Sequence, residues 1–350
     1  MNLKGQIFIG DHSFKELIQF LTQPFSSCLV LADENTLKHC YPVIKEILPP
    51  HHLIEIPSGE IHKTFAICGM IWTKLTEFNA DRKSLFINLG GGVIGDMGGF
   101  SAACFKRGIP FINIPTTLLS MVDASVGGKT GIDFMGFKNQ IGLFQKPEAV
   151  FIYTAFLKTL PQRELSSGFS EVIKHYLIAD SVAFGQVLNS KRPLTDLPWN
   201  EIVERNVKIK SAIVEQDPYE KGIRKALNFG HTVGHAVESW FLKNAAVPLL
   251  HGEAIAIGML AESFISLKKD LLANYELSKI QSVIFSYFNL PRIEFTALPE
   301  IKTLIKQDKK NEQDTTQFTL LQGIGNYSIN IAVEEELIIE SINYYNSLLK

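Results

Sequence analysis

The first part of the chain alternates short β-rich runs with stretches of helical spacing. Six runs rich in branched and aromatic residues predict strands: GQIFIG, SCLVLAD, HLIEIP, SLFINLGG, IPFINIP and AVFIY. Between them, NTLKHCYPVIKEIL and IHKTFAICGMIWTKLTEF repeat apolar residues at helical intervals. This rhythm predicts βαβ units, and hence a parallel sheet with helices on both faces that binds ligands at the carboxyl ends of its strands.

After about Pro161 the strand rhythm fades and long helical patterns replace it. These are ELSSGFSEVIKHYLI, NEIVERNVKIKSAIVEQD, KALNFGHTVGHAVESWFL and HGEAIAIGMLAESFISLKK, with short strands expected between Thr315 and Val333. We predict an α/β domain over residues 1–160 and a mainly helical domain over residues 161–350.

Composition and charge restrict the class of protein. The 350 residues include 34 lysines and arginines against 36 acidic residues, so there is no basic surplus for a nucleic-acid partner. No apolar stretch approaches the roughly 20 residues that span a bilayer, and the amino terminus has no signal-peptide pattern. We therefore expect a cytoplasmic protein without a membrane partner. The four cysteines lack CxxC spacing and are expected to be buried.

A glycine-rich turn follows the predicted strand SLFINL at Gly90–Gly99 and leads into a helix. Backbone N–H groups in such a turn can approach a diphosphate at the helix amino terminus, whereas the simpler alternative is tight packing of helix on sheet. Asp33 and Asn35 follow the second strand, and Ser58–Glu60 with Lys63 follows the third, as would suit a nucleotide site.

The segment VGGKT resembles a P-loop only superficially. Asp123 stands where that motif requires glycine, and the preceding residues do not form a strand pattern. We interpret the segment as a loop whose charged and polar side chains, with Arg107 upstream, favour an anionic ligand over a merely solvated surface. These side chains are Asp123, Lys129, Lys138 and Asn139.

Histidines and glutamates supply candidate metal ligands. His231 and His235 lie one helical turn apart, and His251 opens the next helical pattern. Spacing alone favours His231 and His235 as ligands, with a structural helix pair as the alternative. Spacing does not choose among Glu171, Glu238, Glu253, His231, His235 and His251.

Five segments in the same order resemble the 3-dehydroquinate synthase family. They are GGGVIGDMGGF, PTTLLSMVDASVGGKTGID, LPQRELSSGFSEVIKH, RKALNFGHTVGHAVE and LHGEAIAIGM, within a resemblance from about Phe8 to Gly325. The resemblance implies a Rossmann-like NAD-binding domain, a helical metal- and substrate-binding domain, and a homodimer. It also implies NAD and Zn²⁺ as cofactors, with Co²⁺ as the alternative metal.

The resemblance also implies roles for individual residues. The metal ligands would be Glu171, His231 and His251, with His235 as a hydrogen-bonding residue instead. The substrate set would comprise Arg107, Asp123, Lys129, Lys138, Asn139, Lys174, Lys210, Arg224, Asn228, His235 and one of Lys309 and Lys310. The NAD set would comprise Asp33, Asn35, Ser58, Gly59, Glu60, Ile61, His62, Lys63, Gly92, Val93, Ile94, Gly95, Asp96, Thr116, Thr117, Lys129, Lys138, Phe156, Leu157, Lys158 and Thr159. Phe137 departs from the family, which usually has glycine there.

The implied reaction converts the sugar-acid phosphate 3-deoxy-D-arabino-heptulosonate 7-phosphate to 3-dehydroquinate and phosphate in the shikimate pathway. The implied steps are transient oxidation by NAD, β-elimination of phosphate, re-reduction, ring opening and intramolecular aldol closure. The alternatives are a related sugar-phosphate cyclase, such as 2-deoxy-scyllo-inosose synthase, and a metal-dependent glycerol or alcohol dehydrogenase.

Overall fold

The computed structural model describes residues 5–135, 137–190, 192–308 and 315–349. The chain forms two compact units, Met1–Leu165 with Pro198–Lys208, and Ser166–Leu197 with Ile209–Lys350. The sequence predicts a single boundary after residue 160, whereas Pro198–Lys208 belongs to the first unit. Asn200 in that segment accepts a hydrogen bond from the hydroxyl of Thr154, which links it to the end of the sheet.

A six-stranded parallel sheet forms the centre of the first unit, in the order β1-β8-β5-β4-β2-β3. The strands are β1 Gln6–Ile9, β2 Cys28–Asp33, β3 His52–Ile56, β4 Leu85–Gly90, β5 Phe111–Pro115 and β8 Ala149–Ile152. The helices are α1 His12–Leu21, α2 Glu34–His39, α3 Tyr41–Ile44, α4 Phe65–Glu77 and α5 Gly92–Cys104. All six predicted strands and the α/β class are confirmed.

The order of the strands creates a switch point between β2 and β4. From β2 the chain continues outward to β3, whereas from β4 it continues to β5 on the other side. The loops after β2 and β4 therefore diverge, and such a crevice is where open α/β sheets bind ligands. Asp33 and Gly90, the last residues of these strands, lie at this crevice.

The predicted loop around Lys129 is instead an antiparallel hairpin, formed by β6 Lys129–Phe134 and β7 Phe137–Phe144. Gly131 faces Gly142, and a Cβ on either residue would lie within 2.7 Å of a backbone oxygen of the other strand. The hairpin thus needs glycine on both strands, and glycine weakens the sequence pattern of a strand. The cysteine expectation holds for Cys28, Cys40 and Cys68 but is wrong for Cys104, which is exposed.

Helices dominate the second unit, together with an antiparallel hairpin. The helices are α6 Gln162–Ala179, α7 Ser181–Asn189, α8 Trp199–Gln216, α9 His231–Asn244, α10 His251–Lys268, α11 Asn274–Tyr287, α12 Leu298–Asp308 and α13 Glu335–Ser347. Two of them begin in the first unit, α6 up to Leu165 and α8 up to Lys208. The hairpin strands are β9 Thr315–Leu321 and β10 Tyr327–Glu334, as the sequence predicts. Helix α10 is buried on nearly all sides, which explains its almost continuous apolar sequence. Within the described residues, no helix has the length and apolar character needed to cross a membrane.

One predicted helix is broken. The pattern from Lys225 to Leu242 contains a 3₁₀ turn over Ile223–Asn228, and α9 begins only at His231. Gly230 between them has φ +79°, a left-handed conformation that favours glycine. The break makes His231 the first residue of a helix, so its position does not follow from the spacing to His235 alone.

Candidate functional site

Helix α6 buries a carboxylate, an ammonium group and an imidazole in the second unit. Glu171 and His175 have no exposed surface, and Lys174 is 1% exposed. Glu171 and Lys174 form an ion pair through Oε2 of the glutamate. The pair stabilises the charge of each partner inside the unit, because a buried carboxylate or ammonium is costly without compensation.

His231 directs one ring nitrogen toward Glu171. Its Nδ1 lies 3.0 Å from the carbonyl oxygen of Phe229, and its Nε2 lies 3.5 Å from Oε1 of Glu171. A carbonyl oxygen can only accept, so Nδ1 carries the hydrogen and Nε2 presents its lone pair. Burial, together with the positive charge of Lys174, holds the pKa of His231 well below its usual value and favours this neutral form.

His251 makes a matching arrangement from the first turn of α10. Its Nε2 lies 3.6 Å from Oε1 of Glu171, and its Nδ1 lies 3.2 Å from Oε2 of Glu238. Burial opposes the charged form, but the carboxylates of Glu238 and Glu171 outweigh it and raise the pKa of His251 to about 9.

Glycines allow the three helices to approach closely. A Cβ on Gly252 would lie 1.9 Å from the carbonyl oxygen of Ser167 in α6, and one on Gly258 equally close to that of Gly230. The backbone N–H of Gly252 also donates to the hydroxyl of Ser167 at 3.0 Å. Larger residues at these points would separate α10 from α6 and from the start of α9.

Glu262 fixes the amino terminus of α9. This carboxylate on α10 has no exposed surface and accepts hydrogen bonds from the N–H groups of Gly230 at 2.6 Å and Val233 at 3.0 Å. It satisfies backbone donors that have no partner within the helix. Sequence analysis missed Glu262, whose only signal is an acidic residue within an apolar helix.

The donor atoms match the spacing of a tetrahedral metal site. Two nitrogen or oxygen ligands on zinc lie about 3.3 Å apart, close to the two separations measured from Oε1 of Glu171. His235 belongs to the same cluster, because one ring nitrogen from each of His231, His235 and His251 lies within 4.8 Å of the others. Two histidines and a carboxylate on separate helices are a catalytic type of donor set that leaves a position open.

Glu253 and Glu238 are also candidate metal ligands by sequence spacing, but each has another partner. Oε2 of Glu253 accepts from the backbone N–H of Leu250 at 2.8 Å, which closes the first turn of α10. Glu238 contacts the Nδ1 side of His251, away from Nε2.

Three of the predicted anion-binding residues of the second unit are held by burial or by hydrogen bonds. Arg224 and Lys210 are buried, and the Arg224 guanidinium donates to the carbonyl oxygen of Pro218 at 2.6 Å. Asn228 donates its side-chain amide to Glu220 at 2.8 Å. Sequence analysis did not single out Glu220, since a glutamate in a polar loop carries no distinguishing pattern.

Lys63 organises the candidate nucleotide site in the first unit. Its ammonium donates to Asp96 at 2.7 Å and to Asn139 at 2.6 Å, although the side chain is only 4% exposed. Burial alone would lower the pKa of Lys63, but the carboxylates of Asp96, Glu60 and Asp133 raise it far above its usual range. This charged centre joins the loop after β3 to α5 and to the β6–β7 hairpin.

The β6–β7 hairpin attaches to this centre through two further contacts. Asp133 donates its N–H to the carbonyl oxygen of Lys63, and its carboxylate accepts from the N–H of Asn139 at 2.8 Å. Lys138 lies 3.2 Å from Glu60.

The glycines of the turn after β4 differ in their surroundings. A Cβ on Gly98 would lie 2.1 Å from the side-chain oxygen of Asn88, and one on Gly99 would lie 2.6 Å from Thr130, so these two glycines allow α5 to pack closely. A Cβ on Gly95 would meet nothing within 4 Å. The first turn of α5 is therefore open where a diphosphate would approach its N–H groups.

The residues predicted to contact the nucleotide after β2 and β3 differ in solvent exposure and in their hydrogen-bond partners. Asp33 accepts from the N–H of Thr36 at 2.8 Å as the cap of α2, while Asn35 is exposed. Ser58 binds both carboxylate oxygens of Glu34, a residue that sequence analysis did not select, and so connects the loops after β2 and β3.

The predicted contacts after β5 and β8 are partly enclosed. Thr116 is buried, and the hydroxyl of Thr117 donates to that of Ser120 at 2.9 Å. In the turn after β8, Phe156 and Leu157 are buried and only the last two predicted residues, Lys158 and Thr159, are exposed.

The anion-binding residues predicted in the first unit do not all come together. Arg107 follows the end of α5, about 20 Å along that helix from its glycine-rich start. Lys129 is exposed at the start of β6. Asp123 lies in the helical turn Ser120–Ala124. Lys309, Lys310 and the side chain of Phe137 lie outside the described residues.

Family models cover most of the chain. The model described as 3-dehydroquinate synthase N-terminal matches residues 53–167, and the one described as 3-dehydroquinate synthase C-terminal matches residues 168–311. A 3-dehydroquinate synthase from Parabacteroides distasonis is 42% identical over 338 residues, covering 94% of each chain. The chain belongs to the 3-dehydroquinate synthase family. A second member, from Nitratiruptor sp., is 41% identical over 85% of this chain and 84% of its own.

Solved structures with low sequence identity share this fold. A 2-deoxy-scyllo-inosose synthase complexed with carbaglucose-6-phosphate, NAD⁺ and Co²⁺ has a TM-score of 0.84 at 23% identity, over 97% of this chain and 96% of its own. The 2-epi-5-epi-valiolone synthase of Streptomyces hygroscopicus, with NAD⁺ and Zn²⁺ bound, has a TM-score of 0.82 at 24% identity, over 94% and 95%. A probable glycerol dehydrogenase from Sinorhizobium meliloti is more distant, with a TM-score of 0.61 at 14% identity, over 99% and 97%. The activity of the chain is that of a 3-dehydroquinate synthase.

Proposed function

We propose that Glu171, His231 and His251 bind the catalytic divalent metal, with zinc as the first choice and cobalt as the alternative. The observation that carries this assignment is the convergence of two Nε2 atoms on one carboxylate oxygen, at 3.5 and 3.6 Å. His235, in the same cluster, would then hydrogen-bond to the substrate. When bound, the metal supplies a Lewis acid for a substrate hydroxyl and NAD supplies a reversible hydride acceptor.

NAD is the cofactor of the first unit in this proposal. The first turn of α5, which is open at Gly95, fits the diphosphate, because its N–H groups carry partial positive charge. Asp33, Asn35 and the loop from Ser58 to Lys63 surround the same end of the sheet and suit the ribose and adenine groups. Two structures of the same fold, a 2-deoxy-scyllo-inosose synthase and a 2-epi-5-epi-valiolone synthase, have NAD⁺ bound and support this choice.

The substrate is a doubly anionic sugar-acid phosphate, 3-deoxy-D-arabino-heptulosonate 7-phosphate. In the second unit, Lys174, Lys210 and Arg224 supply buried positive charge for its anionic groups. In the first unit, Lys129 and Lys138 are the corresponding cations and Asn139 is a candidate hydrogen-bonding partner. Arg107, beyond the far end of α5, stays a prediction from sequence. The number of cations distinguishes this substrate from glycerol, which carries no charge.

His235 is the residue proposed to move protons, and Asn228 is proposed to hold the substrate. The imidazole of His235 is next to the metal ligands, with its ring centroid 5.0 Å from that of His231. Asn228 is oriented by Glu220 and can hold a hydroxyl or carboxylate oxygen by hydrogen bonding. Replacement of His235 should therefore lower turnover without removing the metal. The homodimer and the cytoplasmic location stay predictions from sequence.

The test is to add the seven-carbon keto-acid phosphate to protein supplied with NAD and Zn²⁺. Inorganic phosphate and the near-ultraviolet absorbance of NADH are followed together, and the product is identified. Phosphate release without lasting NADH is the expected result, because the hydride returns to the substrate in each cycle. The matched variants are His231→Ala, expected to lose metal and activity, and Glu300→Gln, expected to retain both.

Other outcomes would contradict the proposal. Phosphate release from glucose 6-phosphate, but not from the keto-acid phosphate, would indicate a sister cyclase. Accumulation of NADH with glycerol would indicate a simple dehydrogenase. Full metal binding by His231→Ala would remove that residue from the ligand set.

A further inference from the structure

We propose that Glu238 is a positioning residue that orients His251 for metal binding without being a ligand itself. This inference rests on the metal site of the proposed function.

The two nitrogens of His251 face different partners. Nε2 lies 3.6 Å from Oε1 of Glu171, the oxygen that His231 also faces, and Nδ1 lies 3.2 Å from Oε2 of Glu238. A group in contact with Nδ1 lies on the side of the ring away from an ion held by Nε2. The contact with Glu238 therefore fixes the rotation of the ring and keeps a hydrogen on Nδ1, so that a metal bound at Nε2 displaces only the hydrogen of that nitrogen.

The position of Glu238 makes this contact rigid. Its side chain is 5% exposed and belongs to α9, the helix that begins at His231, whereas His251 begins α10. Helix α9 thus supplies one proposed ligand directly and orients the other through Glu238. Gly234, on the same helix, touches α10, because a Cβ there would lie 2.8 Å from the side chain of Ile255. The contact of Gly234 with Ile255, near Glu238, therefore sets the distance between α9 and α10.

The two histidines differ in the group that orients them. The Nδ1–H of His231 donates to a neutral carbonyl oxygen, whereas the Nδ1 of His251 meets a carboxylate. A carboxylate partner raises the basicity of a histidine ligand and strengthens its bond to the metal. Glu238 consequently contributes more affinity through His251 than the Phe229 carbonyl contributes through His231.

The experiment is a Co²⁺ titration of the metal-free full chain by chelator competition, with the visible absorption bands of bound Co²⁺ recorded in parallel. Glu238→Gln keeps an acceptor oxygen but removes the charge, and Glu238→Ala removes both. Glu171→Gln supplies the spectrum of an altered ligand set, and Glu300→Gln is the control for an exposed glutamate. Circular dichroism and the melting temperature report whether each variant is folded.

We expect Glu238→Ala to weaken Co²⁺ binding about 10- to 100-fold and Glu238→Gln to give a smaller loss. Both should keep the band positions and intensities of the parent, unlike Glu171→Gln. Co²⁺ affinity within twofold of the parent in both variants, even with a lower melting temperature, would overturn the positioning role. A spectrum like that of Glu171→Gln would make Glu238 a ligand and also overturn it. A parent protein that binds no Co²⁺ would overturn the proposed metal site together with this inference.

Discussion

Glu262 binds the backbone N–H of Gly230 at a donor–acceptor distance of 2.6 Å, across the contact between α10 and the start of α9. The same carboxylate accepts from Val233, so it replaces the side-chain cap that Gly230 cannot supply. The first turn of α9, which carries His231, is therefore held by a group on a neighbouring helix.

Glu262→Gln should destabilise the second unit by about 2 kcal/mol, because an amide presents one acceptor oxygen and no charge to two buried donors. The measurement is the free energy of unfolding in denaturant without metal. The control Glu300→Gln removes the exposed ion pair with Lys243, and its free energy of unfolding should fall by less than about 1 kcal/mol. Equal losses in the two variants would contradict the special role of Glu262.

Gly258→Ala should be strongly destabilising, because its Cβ would overlap the carbonyl oxygen of Gly230. Overpacking of this kind costs about 1–3 kcal/mol or more. The matched control is Gly185→Ala in α7, where a Cβ meets nothing within 4 Å and helix propensity should raise stability by about 0.5–1 kcal/mol. Thermal unfolding should give a lower melting temperature for Gly258→Ala and a higher one for Gly185→Ala.

Glu171→Gln should bind metal much more weakly, with a changed Co²⁺ spectrum at saturation, and should also destabilise the metal-free protein by about 3–5 kcal/mol, because it removes the anionic partner of buried Lys174. The double variant with Lys174→Met should unfold at higher denaturant concentration than Glu171→Gln alone. A double variant less stable than the single one would show that Lys174 does not depend on this pair.

Asp133→Asn should raise the melting temperature of the first unit slightly at neutral pH. Burial raises the pKa of Asp133, so its ionised form costs stability above that pKa, and the cost disappears as pH falls through it and then through the unfolded value. The amide oxygen can still accept from the N–H of Asn139. Melting curves at pH 7 and pH 4 should show the gain only at the higher pH; the same gain at both would point to a cause other than ionisation.

Local sequence patterns predict all six strands of the parallel sheet, because each strand of a buried parallel sheet is a short apolar run. They failed for the β6–β7 hairpin, whose Gly131 and Gly142 reduce the strand signal although their close approach requires glycine. The break at Gly230 was also missed, since helical spacing continues across it.

The candidate site likewise contains some residues that local patterns predict and others that they do not. Lys63 was expected from its place after β3, and His231 from its spacing to His235, since both signals are local. The convergence of Glu171, His231 and His251 depends on three helices far apart in sequence, and only family resemblance predicted it. Glu262 interacts with backbone atoms of another helix, a relationship with no counterpart in the order of residues.

The ion pair of Lys174 with Glu171 has a consequence for how the site is loaded. Without a metal, the ammonium keeps the central carboxylate compensated, and the glycine contacts and Glu262 keep the helices in place. The empty site should therefore be preassembled, unlike small metal domains that fold only when the ion arrives. A chelated enzyme should regain activity as fast as metal diffuses in, without the lag of a refolding phase, as rapid mixing with Zn²⁺ or Co²⁺ would reveal.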